Sequence, residues 1–275
     1  MKLNELGKLS AQLQASEKFP ALFLGHGSPM NAIEENEFVR GFRAIGKDIP
    51  KPRAVLVISA HWETRGTFVT AMEHPETIHD FGGFPKALFD VQYPAPGSPE
   101  LAKETQVLVK KTQVEADYKW GIDHGSWSVV KHLYPAADVP VIQMSIDYTR
   151  DALYHYELAK ELSALRRKGV LIIGSGNMVH NLGMIAWDKL NSDNYGYDWA
   201  LEASEKMKQY ILQGNHNALI KYRQQGRSWD LSIPSPEHYL PLLYILALQE
   251  KGESPELYND KAVAGSLTMT SVKIA

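Results

Sequence analysis

The feature that most limits the fold of this chain is a set of short, uninterrupted apolar runs, each closed by small or turn-forming residues. Ala21-Leu22-Phe23-Leu24 stops at Gly25-His26-Gly27-Ser28-Pro29. Ala54-Val55-Leu56-Val57-Ile58-Ser59 stops at Ala60-His61-Trp62-Glu63, and Val170-Leu171-Ile172-Ile173 stops at Gly174-Ser175-Gly176. Runs without polar alternation are strands covered on both faces, as in a sheet between two layers of helices. Residues 139–146 read the same way. A polar strand is expected near 113–118 and another at 67–72. Helical spacing fills the intervals at 34–46, 99–112, 151–167 and 198–224. Ser98 is placed to cap the second of these, with Pro99 at its first position. Ser235 is expected to cap a later helix, and residues 266–274 alternate as a last strand. The pattern is that of a single α/β domain with a central, mostly parallel or mixed sheet flanked by helices. Leu3, Leu6, Leu9 and Leu13 mark residues 1–18 as a helical N-terminal extension ahead of a body at 19–275.

Composition removes several function classes. The 275 residues include no cysteine, which excludes disulfide scaffolds, cysteine zinc sites and a cysteine nucleophile. Lys and Arg number 29 against 32 Asp and Glu, a net charge of −3, with no basic stripe to neutralise phosphates. Nucleic acid is therefore not an expected partner. The longest apolar stretch, Pro241–Leu248, is far short of the roughly 20 residues a bilayer requires. The N-terminus has no apolar signal region, so the expected compartment is the cytoplasm, with no membrane partner.

The candidate chemistry lies in the 10 histidines. His26, His61 and His180 each follow an apolar strand. In open α/β sheets ligands bind outside the carboxyl ends of strands, so three residues distant in sequence are expected to converge. His238 is expected in the first turn of the helix capped by Ser235, and His124 in a tight aromatic loop. His132, His155 and His216 fall inside helical stretches and read as structural, and His74 has no visible partner. Converging neutral imidazoles suit Zn, Fe, Cu or Ni. No HxH or HExxH spacing occurs, which excludes a helix-borne zincin site.

Other motifs fail on inspection. Gly174-Ser175-Gly176 would open a dinucleotide fingerprint, but Val179 stands where the third glycine belongs. Gly25-His26-Gly27-Ser28-Pro29 has its serine one place too late for a nucleophile elbow. No phosphate-binding GxxxxGK[ST] loop is present.

Seven segments in order carry a further pattern. They are Gly25–Met30, Ser59–Trp62, His79–Pro85, Tyr93–Gly97, Asp123–Trp127, Gly174–Asn181 and Pro236–Leu242. Over roughly residues 20–275 the chain resembles the class III extradiol ring-cleavage dioxygenases, and within them the 4,5-DOPA extradiol branch. The resemblance implies a metal-dependent enzyme that opens a catechol such as DOPA by 4,5-cleavage with O2, with 19–275 as its catalytic domain. It implies one divalent ion per chain, held by His26, His61 and His238. His180 matches the acid/base histidine, or a fourth ligand, and His124 a second active-site histidine. His79 and Asp80, on a glycine-rich loop, are expected to close over the substrate ring.

The best-known class III enzymes use two histidines and a glutamate, whereas this chain offers three histidines. Three imidazoles make an ordinary zinc shell, so zinc is expected in the protein as isolated and Fe(II) for dioxygenation. Two rivals use the same residues: a zinc-dependent hydrolase, and a non-enzymatic partner-binding protein on this scaffold. Oligomeric state is not legible.

Overall fold

The computed structural model describes residues 18–190 and 192–275. The helix expected over residues 1–18 thus lies outside the described residues, except for Lys18. An eight-stranded sheet forms the centre, in the order β4-β3-β5-β2-β6-β1-β10-β7. The strands are β1 (Ala21–Gly25), β2 (Ala54–Thr64), β3 (Thr67–Thr70), β4 (Val114–Asp117), β5 (Val141–Asp147), β6 (Val170–Gly176), β7 (Pro255–Tyr258) and β10 (Ser271–Ile274). A separate hairpin pairs β8 (Ala262–Val263) with β9 (Leu267–Thr268). The inner four strands, β5-β2-β6-β1, are all parallel. Antiparallel strands β3 and β10 flank them, and the sheet is mixed at both margins.

The continuous apolar runs have the physical origin expected of them. Alternate residues of each inner strand enter two different cores. Phe23, Leu56, Ile58, Ile142 and Ile172 pack on one face, against Leu242, Leu243 and Met207. Leu22, Leu24, Val55, Val57 and Ile173 pack on the other, against Phe42, Trp127 and Val130. The second layer is made by α1 (Glu37–Asp48), which buries Val39, Phe42 and Ile45 on one stripe. Asn36 caps it by accepting a hydrogen bond from the Val39 N–H. Ser98 caps its helix (Pro99–Leu108) as expected, accepting from Leu101 N–H.

Several boundaries differ from the sequence expectation. Gly174-Ser175-Gly176 is not a turn; it is the end of β6, paired with Phe23, Leu24 and Gly25. Parallel pairing to β1 carries the strand past its apolar run. The helices expected over 151–167 and 198–224 are both broken, the second at Gly214, whose φ of 66° lies in the left-handed region. Residues 266–274 divide between β9 and β10. Ser235 caps no helix: the helix Leu240–Leu246 begins five residues later, with Pro241 in its first turn. No helix among the described residues is long and apolar enough to cross a membrane.

Candidate functional site

The carboxyl ends of β1, β2 and β6 meet, with Gly25 opposite Gly176 and Ser59 opposite Ser175. His26 leaves β1 there, and Gly27, at φ 61°, turns the chain away. His61 is still within β2, which runs beyond its apolar core. The segment bearing His238 crosses close to β6. Its carbonyl accepts from Asn177 N–H at 2.9 Å, and a β-carbon at Gly176 would collide with the His238 backbone. His124 is not in a loop but is the first residue of a helix (His124–Leu133), capped by Asp123. A β-carbon at the next residue, Gly125, would fall 2.7 Å from His61 Cδ2. Glycine there lets this helix start press against β2.

Five of the expected histidines come together. The ring centroids of His26, His61 and His238 form a nearly equilateral triangle, with sides of 5.1, 5.3 and 5.0 Å. Imidazoles on one tetrahedral ion, with N–metal bonds of about 2.1 Å, have centroids about 5 Å apart. His124 lies closer to His61, at 3.9 Å, and 5.9 Å from His26. His180 stacks on His238 at 3.5 Å with the planes 6° apart. Ligand atoms of His26, His61 and His124 also lie within 4.8 Å of one another, as do those of His180, Glu237 and His238.

Each Nδ1 of the triangle faces an oxygen acceptor. Ser175 Oγ–H donates to the Gly125 carbonyl, so this oxygen accepts from His26 Nδ1–H at 3.0 Å. His61 Nδ1 faces Asp80 Oδ2 at 3.3 Å, and His238 Nδ1 faces Glu237 Oε1 at 3.0 Å. Each Nδ1 therefore carries its proton toward an acceptor and each Nε2 keeps a lone pair. Two of those lone pairs, on His26 and His61, face each other across 3.2 Å. Burial, then the neighbouring imidazoles, pushes His26 and His238 well below the ordinary histidine range. His61 is lowered by burial and His124, against the pull of Asp123, Asp80 and Glu237. Protons are thus disfavoured on all three rings. This donor set fits a divalent cation.

Around this centre the structure separates His79 from Asp80. His79 Nε2–H donates to the Val91 carbonyl at 2.9 Å, and its ring packs among Phe81, Phe89 and Trp127. Asp80 instead reaches the histidines. Its Oδ1 accepts from the His124 backbone N–H at 2.9 Å, and its Oδ2 faces His61. Burial raises its pKa, but His124 and His61 outweigh that and hold it low. His180 is pushed down to about 4 by burial, against the attraction of Glu237.

Two neighbours escaped the sequence reading. Ser175 was read as part of a turn. Glu237 lies before Leu240, where the segment is not helical and turns its carboxylate onto His238. A third group is a brace behind the site. Buried Asp123 accepts from Ser59 Oγ at 2.8 Å, Gln143 Nε2 at 2.6 Å and Ser126 N–H at 3.0 Å. The brace ties β2 and β5 to the helix carrying His124.

Residues 20–269 match the family described as the catalytic LigB subunit of aromatic ring-opening dioxygenase. The chain is 46% identical to the 4,5-DOPA dioxygenase extradiol of Escherichia coli (strain K12), over 95% of this chain and 97% of that protein. It is 35% identical to the protein of the same name from Mirabilis jalapa, over 85% and 87%. It is 31% identical to dioxygenase tasH of Hapsidospora irregularis, over 88% and 82%. Among solved structures it resembles an uncharacterized Escherichia coli K12 protein, with a TM-score of 0.80 and 40% identity. That likeness covers 94% of this chain and 100% of the other. The chain therefore belongs to the LigB family of aromatic ring-opening dioxygenases and is an oxidoreductase.

Proposed function

We propose that the protein is an extradiol dioxygenase that opens a catechol such as DOPA by 4,5-cleavage, inserting both atoms of O2. One divalent ion would be held by the Nε2 atoms of His26, His61 and His238. The observation that supports this is the triangle of His26, His61 and His238 rings, with centroids 5.0–5.3 Å apart and each Nδ1 facing a different acceptor. His26-His61-His124 is a second way to choose three ligands, but the 3.9 Å between His61 and His124 is too short for two rings on a tetrahedral ion. When bound, the ion would acidify a catechol hydroxyl and, as Fe(II), supply the redox chemistry that zinc lacks.

The remaining steps belong to the side chains. His180 is the acid/base group. Its plane is parallel to that of His238, so the in-plane lone pairs of the two rings do not aim at one point. This favours a proton-transfer role over a fourth ligand. A pKa near 4 leaves His180 unprotonated at neutral pH, ready to take a catechol proton at a ring nitrogen and return it to the product. His124, held at its Nδ1 side by Asp80, presents its other nitrogen to charge developing on oxygen. Phe81 sets its ring edge-on to His124 at 5.3 Å and lends that side of the site an apolar wall.

The test begins with metal analysis; zinc is expected as isolated. Anaerobic reconstitution with Fe(II), followed by an oxygen-electrode assay with DOPA and simple catechols, should consume one O2 per catechol. Zinc-loaded protein should bind catechol without oxygen uptake. Hydrolysis of an ester or amide by the zinc protein, with no oxygen uptake in the Fe(II) form, would overturn the reading.

A further inference from the structure

Asp80 is one carboxylate shared by two site histidines that lie on different elements. Oδ2 faces His61 Nδ1, on β2, at 3.3 Å. Oδ1 accepts from the His124 backbone N–H at 2.9 Å, and His124 Nδ1 lies 2.9 Å from the same oxygen, off the line of a good hydrogen bond. That nitrogen is buried. A lone pair there would face a carboxylate oxygen, so Nδ1 is where His124 keeps its proton. Asp80 thus sets the same tautomer on both rings, with the proton on Nδ1 and not on Nε2.

The loop that brings Asp80 is itself anchored. His79 Nε2–H is bonded to Val91, the Ile78 carbonyl accepts from Trp127 Nε1–H at 2.8 Å, and Ile78 N–H donates to the Ile122 carbonyl at 2.8 Å. Trp127 lies on the helix that begins with His124, and Ile122 lies two residues before that helix. The carboxylate therefore stands at a fixed height over the gap between β2 and the helix start.

We infer that Asp80 is a positioning residue that makes His61 and His124 a single unit, with one carboxylate fixing the tautomer and orientation of both. This rests on the proposed metal centre for its consequence, though not for its geometry. Orienting partners of this kind usually alter metal affinity by about 10–100-fold when removed. Here the same change should also disturb His124, which Glu237, the equivalent partner of His238, does not touch. Asn at position 80 keeps the shape but offers one acceptor and one NH2 group. It cannot accept from both Nδ1–H groups, so at least one ring must change tautomer.

The test compares Asp80→Asn with Glu237→Gln and His61→Ala. Histidine ring nitrogen shifts in the metal-free protein report tautomers directly. Wild type should show Nδ1–H on both His61 and His124, and Asp80→Asn should move at least one to Nε2–H. Zn(II) affinity, measured by competition with a chelator, should fall about 10–100-fold in Asp80→Asn and in Glu237→Gln. With Fe(II) saturating, turnover should fall further in Asp80→Asn than in Glu237→Gln, because only the former also disturbs His124. Unchanged tautomers in a folded Asp80→Asn protein, with unchanged zinc affinity, would overturn the inference. Failure of the metal reading is separate: it appears as His61→Ala retaining stoichiometric zinc, whatever Asp80→Asn does.

Discussion

His155 and His26 are both sealed from solvent, with 0% and 2% exposure, but their ring nitrogens are treated differently. His155 accepts from the Tyr244 hydroxyl at Nδ1 (2.9 Å) and donates from Nε2 to the Asp147 carbonyl (3.2 Å). Both nitrogens are satisfied by protein, and nothing remains for a ligand. His26 is satisfied at Nδ1 by Ser175, while Nε2 points at another imidazole nitrogen. Burying a polar atom without a good partner costs roughly 1–3 kcal/mol, so two imidazole nitrogens that meet only each other fit a site built for an occupant. Burial of histidine alone distinguishes nothing; what sets His26 apart is that its second nitrogen faces another imidazole.

The largest effect expected from this contrast is loss of metal. His26→Ala, His61→Ala and His238→Ala should each lose most of the bound ion while keeping the fold, as read by metal content and circular dichroism. His124→Ala should keep the ion and lose turnover. The opposite result, with metal retained in His238→Ala and lost in His124→Ala, would move the third ligand to the helix start.

Next in size is proton transfer. His180→Gln should keep metal and catechol binding and lose ~10²–10⁴-fold in turnover. Lowered metal occupancy in that variant would instead make His180 a ligand, despite its parallel stacking.

The satisfied histidine gives a smaller effect, on stability. Burial lowers His155 from its ordinary 6.5 to about 4. Between those values the unfolded chain carries a proton that the folded chain lacks. Its contribution is therefore complete above pH 6.5 and is lost as pH falls toward 4. The loss over that interval is about 3 kcal/mol. Denaturant unfolding of the chelator-treated protein should show it, and the stability gap between wild type and His155→Gln should shrink by that amount on acidification. Parallel curves would mean that His155 is not held neutral by its burial.

The smallest effects belong to the remaining histidines. His132 Nε2–H donates to the Asn31 carbonyl and His216 Nδ1 pairs with the Tyr156 hydroxyl, both away from the site triangle. His74→Gln, His132→Gln and His216→Gln should leave metal content and turnover unchanged. Loss of metal in any of them would end the distinction drawn here.

The parallel core was legible because its strands are buried on both faces and so are apolar throughout. His26 and His61 were legible because they stand just past such apolar runs. What escaped was set by long-range contact. Gly174-Ser175-Gly176 looks like a turn to local rules, but pairing with β1 keeps it extended. Its glycines are there because the Pro241 and His238 backbones lie against them. Ser235-Pro236 looks like a helix start, yet the helix waits for Leu240 and so leaves Glu237 free to turn toward His238. Asp80 has no local sign of its partners, which lie on β2 and at the start of a helix more than forty residues further along the chain.

The position of β10 has a consequence for the order of folding. β1 lies between β6 and β10, with Phe23 paired to both Gly174 and Val272. One edge of β1 thus stays an open template until the final strand arrives. Gly25 N–H also donates to Ser271 Oγ at 3.0 Å, and Met269 packs against Gly25 and Gly27 beside His26. During synthesis the helices and β2-β5-β6 can collapse early, but the His26 corner must wait for Ser271, 246 residues beyond Gly25. Contacts this distant in sequence form slowly. The His26 corner should therefore form late, so weakening β10, as in Ser271→Ala, would be expected to harm assembly of the site out of proportion to the atoms removed.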